Sequence, residues 1–176
     1  MAQFVFGMNV SIDGYVDYQA FDPDPVLFAH FIEATQTGAG SLYGRKLYEI
    51  MRYWDEDRPE WSDPEREFAR AWRDQPKWVV SKTLTSVGPN ATLISDDIEG
   101  KIRAIKGRFS GVIDVGGPVL AAWLGTLGLI DEYRLYTQPV VLGHGDPFFH
   151  GDPPPLRLND HEQIGAATVC LSYVPA

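Results

Sequence analysis

The chain has one cysteine, Cys170, among 176 residues. That excludes an intramolecular disulfide and any metal cluster built on paired thiolates. The four histidines, at 30, 144, 150 and 161, are scattered, and "HEQIG" lacks the second histidine of an H-E-x-x-H helix, so no metal site is expected. Positive charge is scarce as well: 15 lysines and arginines face 24 aspartates and glutamates, a net charge of −9. Nucleic acid demands a basic footprint, which makes it an unsuitable partner, although a pocket for a small anion needs only a few local cations. No apolar run approaches the roughly 18 residues of a membrane span. The opening "MAQFVFGMNVS" alternates like a strand and has no basic leader. A cytoplasmic protein that binds neither nucleic acid nor membrane is the expectation. Internal repeats, low-complexity tracts and a G-x-G-x-x-G fingerprint are also missing, so a Rossmann dinucleotide site is not expected. The length fits a single domain over 1–176.

What is present is an alternation of strand and helix patterns. "QFVFGMNV" (3–10) places Phe4, Phe6, Met8 and Val10 on one face of a strand. Asp24-Pro25 opens a helix whose Leu27, Phe28, Phe31, Ile32 and Thr35 share a face, and Gly38 and Gly40 end it. "SLYG" (41–44) is a short strand leading into a helix over 45–52. Ser62 and Glu65 form a capping box, with Pro64 in the first turn of a helix over 63–73. "KWVV" (77–80) and "ATLIS" (91–95) are strands, and Asp96 or Asp97 caps a helix carrying Ile98, Ile102 and Ile105. "GVIDV" is a buried strand before a helix over 118–127 that turns Val119, Leu120, Trp123, Leu124 and Leu127 inward. Two long strands, near 132–141 and 164–174, close the chain around a Gly- and Pro-rich loop that ends extended. The sum is an α/β fold with a mostly parallel sheet, an antiparallel C-terminal edge and helices on both faces.

Three strand ends share one chemistry. The first runs into Gly44-Arg45-Lys46, the second into Ser81-Lys82-Thr83, and the third into Gly116-Gly117-Pro118-Val119. Ligands of open α/β sheets sit beyond the carboxyl ends of the strands. Helix N-termini offer unpaired N–H groups, glycines admit a ligand to the backbone, and hydroxyl and cationic groups add charge-assisted hydrogen bonds. Together these form a seat for a phosphate-bearing ligand; any one alone is equally well an ordinary turn.

At these residues the chain resembles the dihydrofolate-reductase-like superfamily. "SIDGY" (11–15), "GRKLYE" (44–49), "VVSKTL" (79–84), "VGGPVLAAWL" (115–124) and "LIDEYRLYTQPVVLGHGDPFF" (129–149) follow the order typical of its stand-alone bacterial branch. That branch is related to the reductase domain of the riboflavin-biosynthesis deaminase-reductase. The resemblance implies a three-layer fold, NADPH as cofactor, hydride transfer to a small heterocyclic substrate, and a homodimer. It places Arg45 and Lys46 near the 2′-phosphate or pyrophosphate, and Ser81, Lys82 and Thr83 around the adenosine end. Gly116, Gly117 and the amides of the turn that follows would cradle the pyrophosphate, with Gly44, Pro118 and Val119 also counted as cofactor-binding. With no deaminase zinc motif, the bifunctional enzyme is excluded.

The chain departs from the pyrimidine reductase in two places: the glutamate that precedes its glycine pair is Val115 here, and its Thr-rich, Asp-Asp-Pro segment is missing, with "GRKLYE" in the corresponding region. A folate reductase carries a buried carboxylate on its first helix; the acid of that helix here, Glu33, falls opposite the apolar face. Asp13, at the end of the first strand, is the candidate acid facing the nicotinamide region; a turn aspartate in "DG" is the other reading. Trp54 and Trp61 bracket "DEDRPE" as either a lid or anchors of that loop, and "GKIRAIKGR" (100–108) reads as a solvated helix face. His144 fits a solvated loop. A nucleotide-binding or oligomeric interaction protein without catalysis is the alternative function.

Overall fold

The computed structural model describes residues 1–17, 20–21 and 24–176. The chain order is β1 (Gln3–Ser11), β2 (Tyr15–Val16), α1 (Pro25–Thr37), β3 (Gly40–Gly44), α2 (Arg45–Met51), a 3-10 turn (Arg52–Trp54) and α3 (Asp63–Asp74). It continues with β4 (Lys77–Val80), β5 (Ala91–Ile94), α4 (Ile98–Arg108), β6 (Val112–Gly116) and α5 (Pro118–Thr126). β7 (Glu132–Gln138), β8 (Asp146–Pro147), β9 (Leu156–Ile164) and β10 (Thr168–Pro175) complete it.

One sheet takes the strands in the order β5-β4-β3-β6-β1-β7-β10-β9. The six from β5 to β7 are parallel, and β10 runs antiparallel to both β7 and β9. Alternation along the strands builds two cores. Phe4, Phe6, Leu42, Ile113 and Val115 pack with Ile102 of α4 and Leu120 and Leu124 of α5. On the opposite face Tyr43 and Val79 pack with Ile32 of α1 and Phe68 and Trp72 of α3. The expected three-layer α/β arrangement, a mostly parallel sheet with helices on both faces, is what forms. No helix among the described residues is long and apolar enough to cross a membrane.

Local chemistry sets the helix ends. Asp24 Oδ1 accepts the Leu27 amide at 2.8 Å, with Pro25 opening α1. The Ser62–Glu65 capping box starts α3 as the spacing predicts. At the other end of α3, Lys77 is 1 % exposed and its ammonium donates to the carbonyls of Trp72 (2.6 Å) and Gln75 (2.8 Å). Burial pushes that ammonium's pKa down to about 8. A lysine thus caps the helix from the first residue of the next strand.

Four expectations need correction. In α5, Val119 is 67 % and Trp123 37 % exposed, while Leu120, Ala121 and Leu124 face the sheet. This helix is apolar nearly all round, so periodicity could not set its phase. β7 stops at Gln138, because Pro139 has no N–H to continue the ladder. The extended end of the Gly- and Pro-rich loop is a full nine-residue edge strand, β9, that runs to Ile164, so the last strand starts at Thr168 and not near 164. The charges of β9 guard against edge pairing. Lys106, assigned to a solvated face, is half-buried, pairs with Asp131 and lies 4.5 Å from the Phe4 ring centre. A further ribbon, β2 with β8, pairs Tyr15 with Pro147 and Val16 with Asp146.

Candidate functional site

The three strand ends singled out in the sequence lie side by side. β3 is the neighbour of both β4 and β6, all parallel, with Gly44 opposite Val80 and Tyr43 opposite Gly116. Their carboxyl ends therefore open at one level of one sheet edge. The two glycines there do different jobs. A Cβ on Gly116 would lie 2.5 Å from the Tyr43 ring and 2.6 Å from Leu47, so this glycine is required by packing. Gly117 has φ +110°, and a Cβ there would meet nothing nearer than the Gly44 backbone at 3.9 Å. Its backbone faces open space in a conformation that L side chains rarely adopt.

The first bond inside α5 runs from the Ala121 amide to the Gly117 carbonyl at 3.0 Å. By position, the Val119 and Leu120 amides have no partner within the helix and carry its positive end. Pro118, which has no N–H, fixes the first turn of α5.

Beside the glycines, Arg45 Nη1 donates to Thr83 Oγ1 at 2.7 Å and its Nε pairs with Glu49 at 3.0 Å. Ser81 Oγ accepts the Thr83 and Leu84 amides at 3.2 and 3.0 Å, folding the end of β4 into a tight turn. Lys82 is exposed. Arg45, Ser81 and Thr83 thus form one connected group. Lys46 does not join it: its ammonium pairs with Asp146 at 2.6 Å and clips α2 to the β2–β8 ribbon.

Asp13 takes the turn role. Its carboxylate accepts the Ser11 hydroxyl at 2.6 Å and the amides of Leu142 and Gly143 at 3.1 and 2.7 Å. The Ser11 hydrogen bond first, and the two amides with it, hold its pKa down at about 2. A carboxyl so held has no proton to give near neutrality; it ties the end of β1 to the loop after β7. Its stabilising effect is present above the ordinary value of 3.8 and is lost as pH falls toward about 2. Asp13→Ala is expected to speed hydrogen exchange at the Leu142 and Gly143 amides. Unchanged exchange there would show that the loop is held by something else.

The acid that the sequence reading passed over is Asp114. A cleft of ≈ 440 Å³ opens on the α1–α3 side of the sheet. Phe28, Phe31, Leu47, Met51 and Trp54 wall it, and Asp114 and Arg134 lie on its floor. Asp114 sits between Ser41 of β3 and Val5 of β1, two residues before Gly116 on the same strand. The floor of the cleft and the glycine edge therefore adjoin. Burial pushes the Asp114 carboxyl up to about 7, against a smaller downward pull from the Arg134 charge. Arg134 is held in turn by both Glu132 oxygens, at 2.8 and 3.0 Å, and Ser172 donates to Glu132 at 2.6 Å.

A signal for Asp114 existed. An aspartate inside an otherwise apolar parallel strand is a buried charge, and such charges demand a reason. Val115, which stands in place of the family glutamate, points to the opposite face and is fully buried. Glu33 is exposed, as expected. The tryptophans divide the two readings between them. Trp61 is a buried anchor, 5.1 Å from Trp54, and Trp54 itself lines the cleft. His144 is exposed.

Comparison with known proteins gives a consistent set. The model of the RibD C-terminal domain matches residues 4–170. An uncharacterized protein of Bacillus subtilis (strain 168), YyaP, is 32 % identical over 157 residues, covering 84 % of this chain and 80 % of its own. A solved deaminase/5-amino-6-(5-phosphoribosylamino)uracil reductase from Thermotoga maritima superposes with TM-score 0.67 at 14 % identity, over 99 % of this chain and 57 % of that one. Dihydrofolate reductase from Enterococcus faecalis, solved with NADP(H) and RAB-propyl, superposes with TM-score 0.61 at 14 % identity, over 98 % and 95 %.

Proposed function

This chain belongs to the RibD C-terminal domain family, and from that premise we propose that residues 1–176 act as an NADPH-dependent reductase of a small planar heterocycle. The nearest named activity is the uracil reductase in the Thermotoga protein's name. The observation that carries the proposal is the junction of the glycine edge with an apolar cleft floored by a near-neutral acid. The NADP(H) complex of the Enterococcus enzyme, on the same fold, supports the choice of cofactor.

The residues fit the group. Gly117 presents open backbone beside Gly44, and the Val119 and Leu120 amides point outward from the start of α5, which suits a pyrophosphate. Arg45, Ser81, Lys82 and Thr83 supply the charge and hydroxyls for a 2′-phosphate, with Gly116 holding the turn. Lys46 joins them on leaving Asp146. Bound NADPH supplies a hydride. Asp114 supplies the matching proton from the cleft floor, to the acceptor atom next to the one reduced, and regains it from water. The aromatic walls stack on a planar ring and exclude water. Asp114 is what favours an enzyme over a silent nucleotide binder, since a binder has no use for a costly buried acid.

Thermal melts test this cheaply. NADPH is expected to raise the melting temperature, as any ligand specific to the folded state does. No rise near millimolar cofactor would remove the binding claim. Loss of NADPH absorbance with one of a panel of pterins, pyrimidines and quinones is expected next. A shift without turnover on any of them would favour the silent binder.

A further inference from the structure

Charge in and around the cleft narrows its substrate. Arg134 is the one lysine or arginine that lines the cleft among the described residues. Its Nε and Nη2 already donate to the two oxygens of Glu132, which balances its charge. Outside the cleft, beyond Tyr53, a second depression is lined by Glu49, Arg52, Asp55, Glu56, Tyr53 and Arg58. Acids outnumber bases there. Arg52 is paired with Asp55 at 3.2 Å, and the Arg58 guanidinium lies over the Tyr53 ring, 4.3 Å from its centre. Arg45 of the strand-end group is likewise paired, with Glu49, and among the described residues Lys82 lies on the edge given above to the cofactor.

A phosphate monoester is a dianion at neutral pH. Placed in this cleft it would lose water and meet one cation whose charge Glu132 already balances, and the depression beyond Tyr53 offers it no excess of positive charge. An uncharged ring suffers neither loss. Its faces match the aromatic and aliphatic walls, and an N–H or amino edge can donate to the Asp114 carboxyl on the floor. Resting on the reductase reading above, we infer that the cleft takes an unphosphorylated planar heterocycle with a hydrogen-bond-donating edge, and discriminates against the phosphoribosylated ring named for the Thermotoga protein.

The test compares ligands that differ by the phosphate alone. An aminopyrimidine riboside 5′-phosphate, the same compound after phosphatase treatment, and a 2-amino-4-oxopteridine are titrated calorimetrically into the NADPH-loaded protein. The two unphosphorylated rings are expected to bind at least about tenfold tighter than the phosphate. Equal or tighter binding of the phosphate overturns the inference, and so does failure of every ring to bind while the NADPH melting shift is intact. Ring binding without an NADPH shift would leave the substrate class standing and remove the reductase reading instead. Glu56→Lys, which reverses one rim charge, is expected to strengthen binding of the phosphate several-fold and leave the unphosphorylated pair unchanged. An equal effect on both, or none on either, counts against rim repulsion and against the inference.

Discussion

Asp114→Asn is expected to lower kcat by about 10²–10⁴-fold, the usual worth of a positioned acid, and to leave the NADPH melting shift in place. The amide keeps the shape and a hydrogen-bonding edge but has no proton to deliver. In the parent protein the carboxyl is raised from 3.8 to about 7 by burial, so its protonated form is the working one near neutrality. Activity is therefore expected to fall as pH rises through about 7, and the variant's residual activity to lack that break. A pH–rate profile of the two proteins is the measurement. Stability moves the other way. The folded protein keeps a proton that the unfolded chain releases, so stability declines between 3.8 and about 7, and above that the full cost of a buried carboxylate applies. That cost is on the order of 4 kcal/mol at most. Asp114→Asn should accordingly melt several degrees higher than the parent at pH above about 8 and show little gain in mild acid. A variant that is inactive but equally destabilised at both pH values would mean that the carboxylate serves packing, not proton transfer.

This trade between stability and a reactive group also explains which parts of the molecule were legible in the sequence. Elements with a clear period or cap, such as β1, α1 and α3, form where expected, because Asp24, the Ser62–Glu65 box and strand alternation act locally. The convergence of the three strand ends was legible too. Strand order could not be read, but glycine, hydroxyl and cationic residues recur after three strands, and parallel neighbours must open on the same side. Two kinds of feature were hidden. β9 carries "LRLNDHEQI" on an edge where burial imposes no alternation, so only its pairing with β10 defines it. Asp114 was hidden for the opposite reason. The strand around it is apolar enough to be read as core, and the acid counts as functional only once α1 and α3 are seen to leave the cleft above it open. Lys46 shows a third limit: its charge suits an anion, but its partner, Asp146, lies 100 residues away.

The glycine pair gives the second large effect, because its members fail differently when replaced. Gly117→Val is expected to weaken NADPH binding at least about 100-fold, near 3 kcal/mol of binding free energy. The side chain would project into the space beside Gly44 that the open backbone now leaves free. Valine at φ +110° also carries backbone strain of about 1–3 kcal/mol, so a lower baseline melt accompanies the loss. Gly116→Ala separates the two effects. Its Cβ would press on Tyr43 and Leu47 inside the core, and Tyr43 is held by a hydrogen bond from Trp72 at 3.1 Å. That variant should lose about 1–3 kcal/mol of stability from overpacking and keep most of its cofactor affinity in the folded fraction. Urea unfolding and NADPH titration by quenching of tryptophan fluorescence measure both quantities on both proteins. If Gly117→Val binds NADPH within a few-fold of the parent, the backbone beside Gly44 is a turn and nothing more. If Gly116→Ala loses binding as completely as Gly117→Val at full folding, the cradle includes both glycines. The split expected here, binding lost at one and stability at the other, follows from the direction in which each missing Cβ would point.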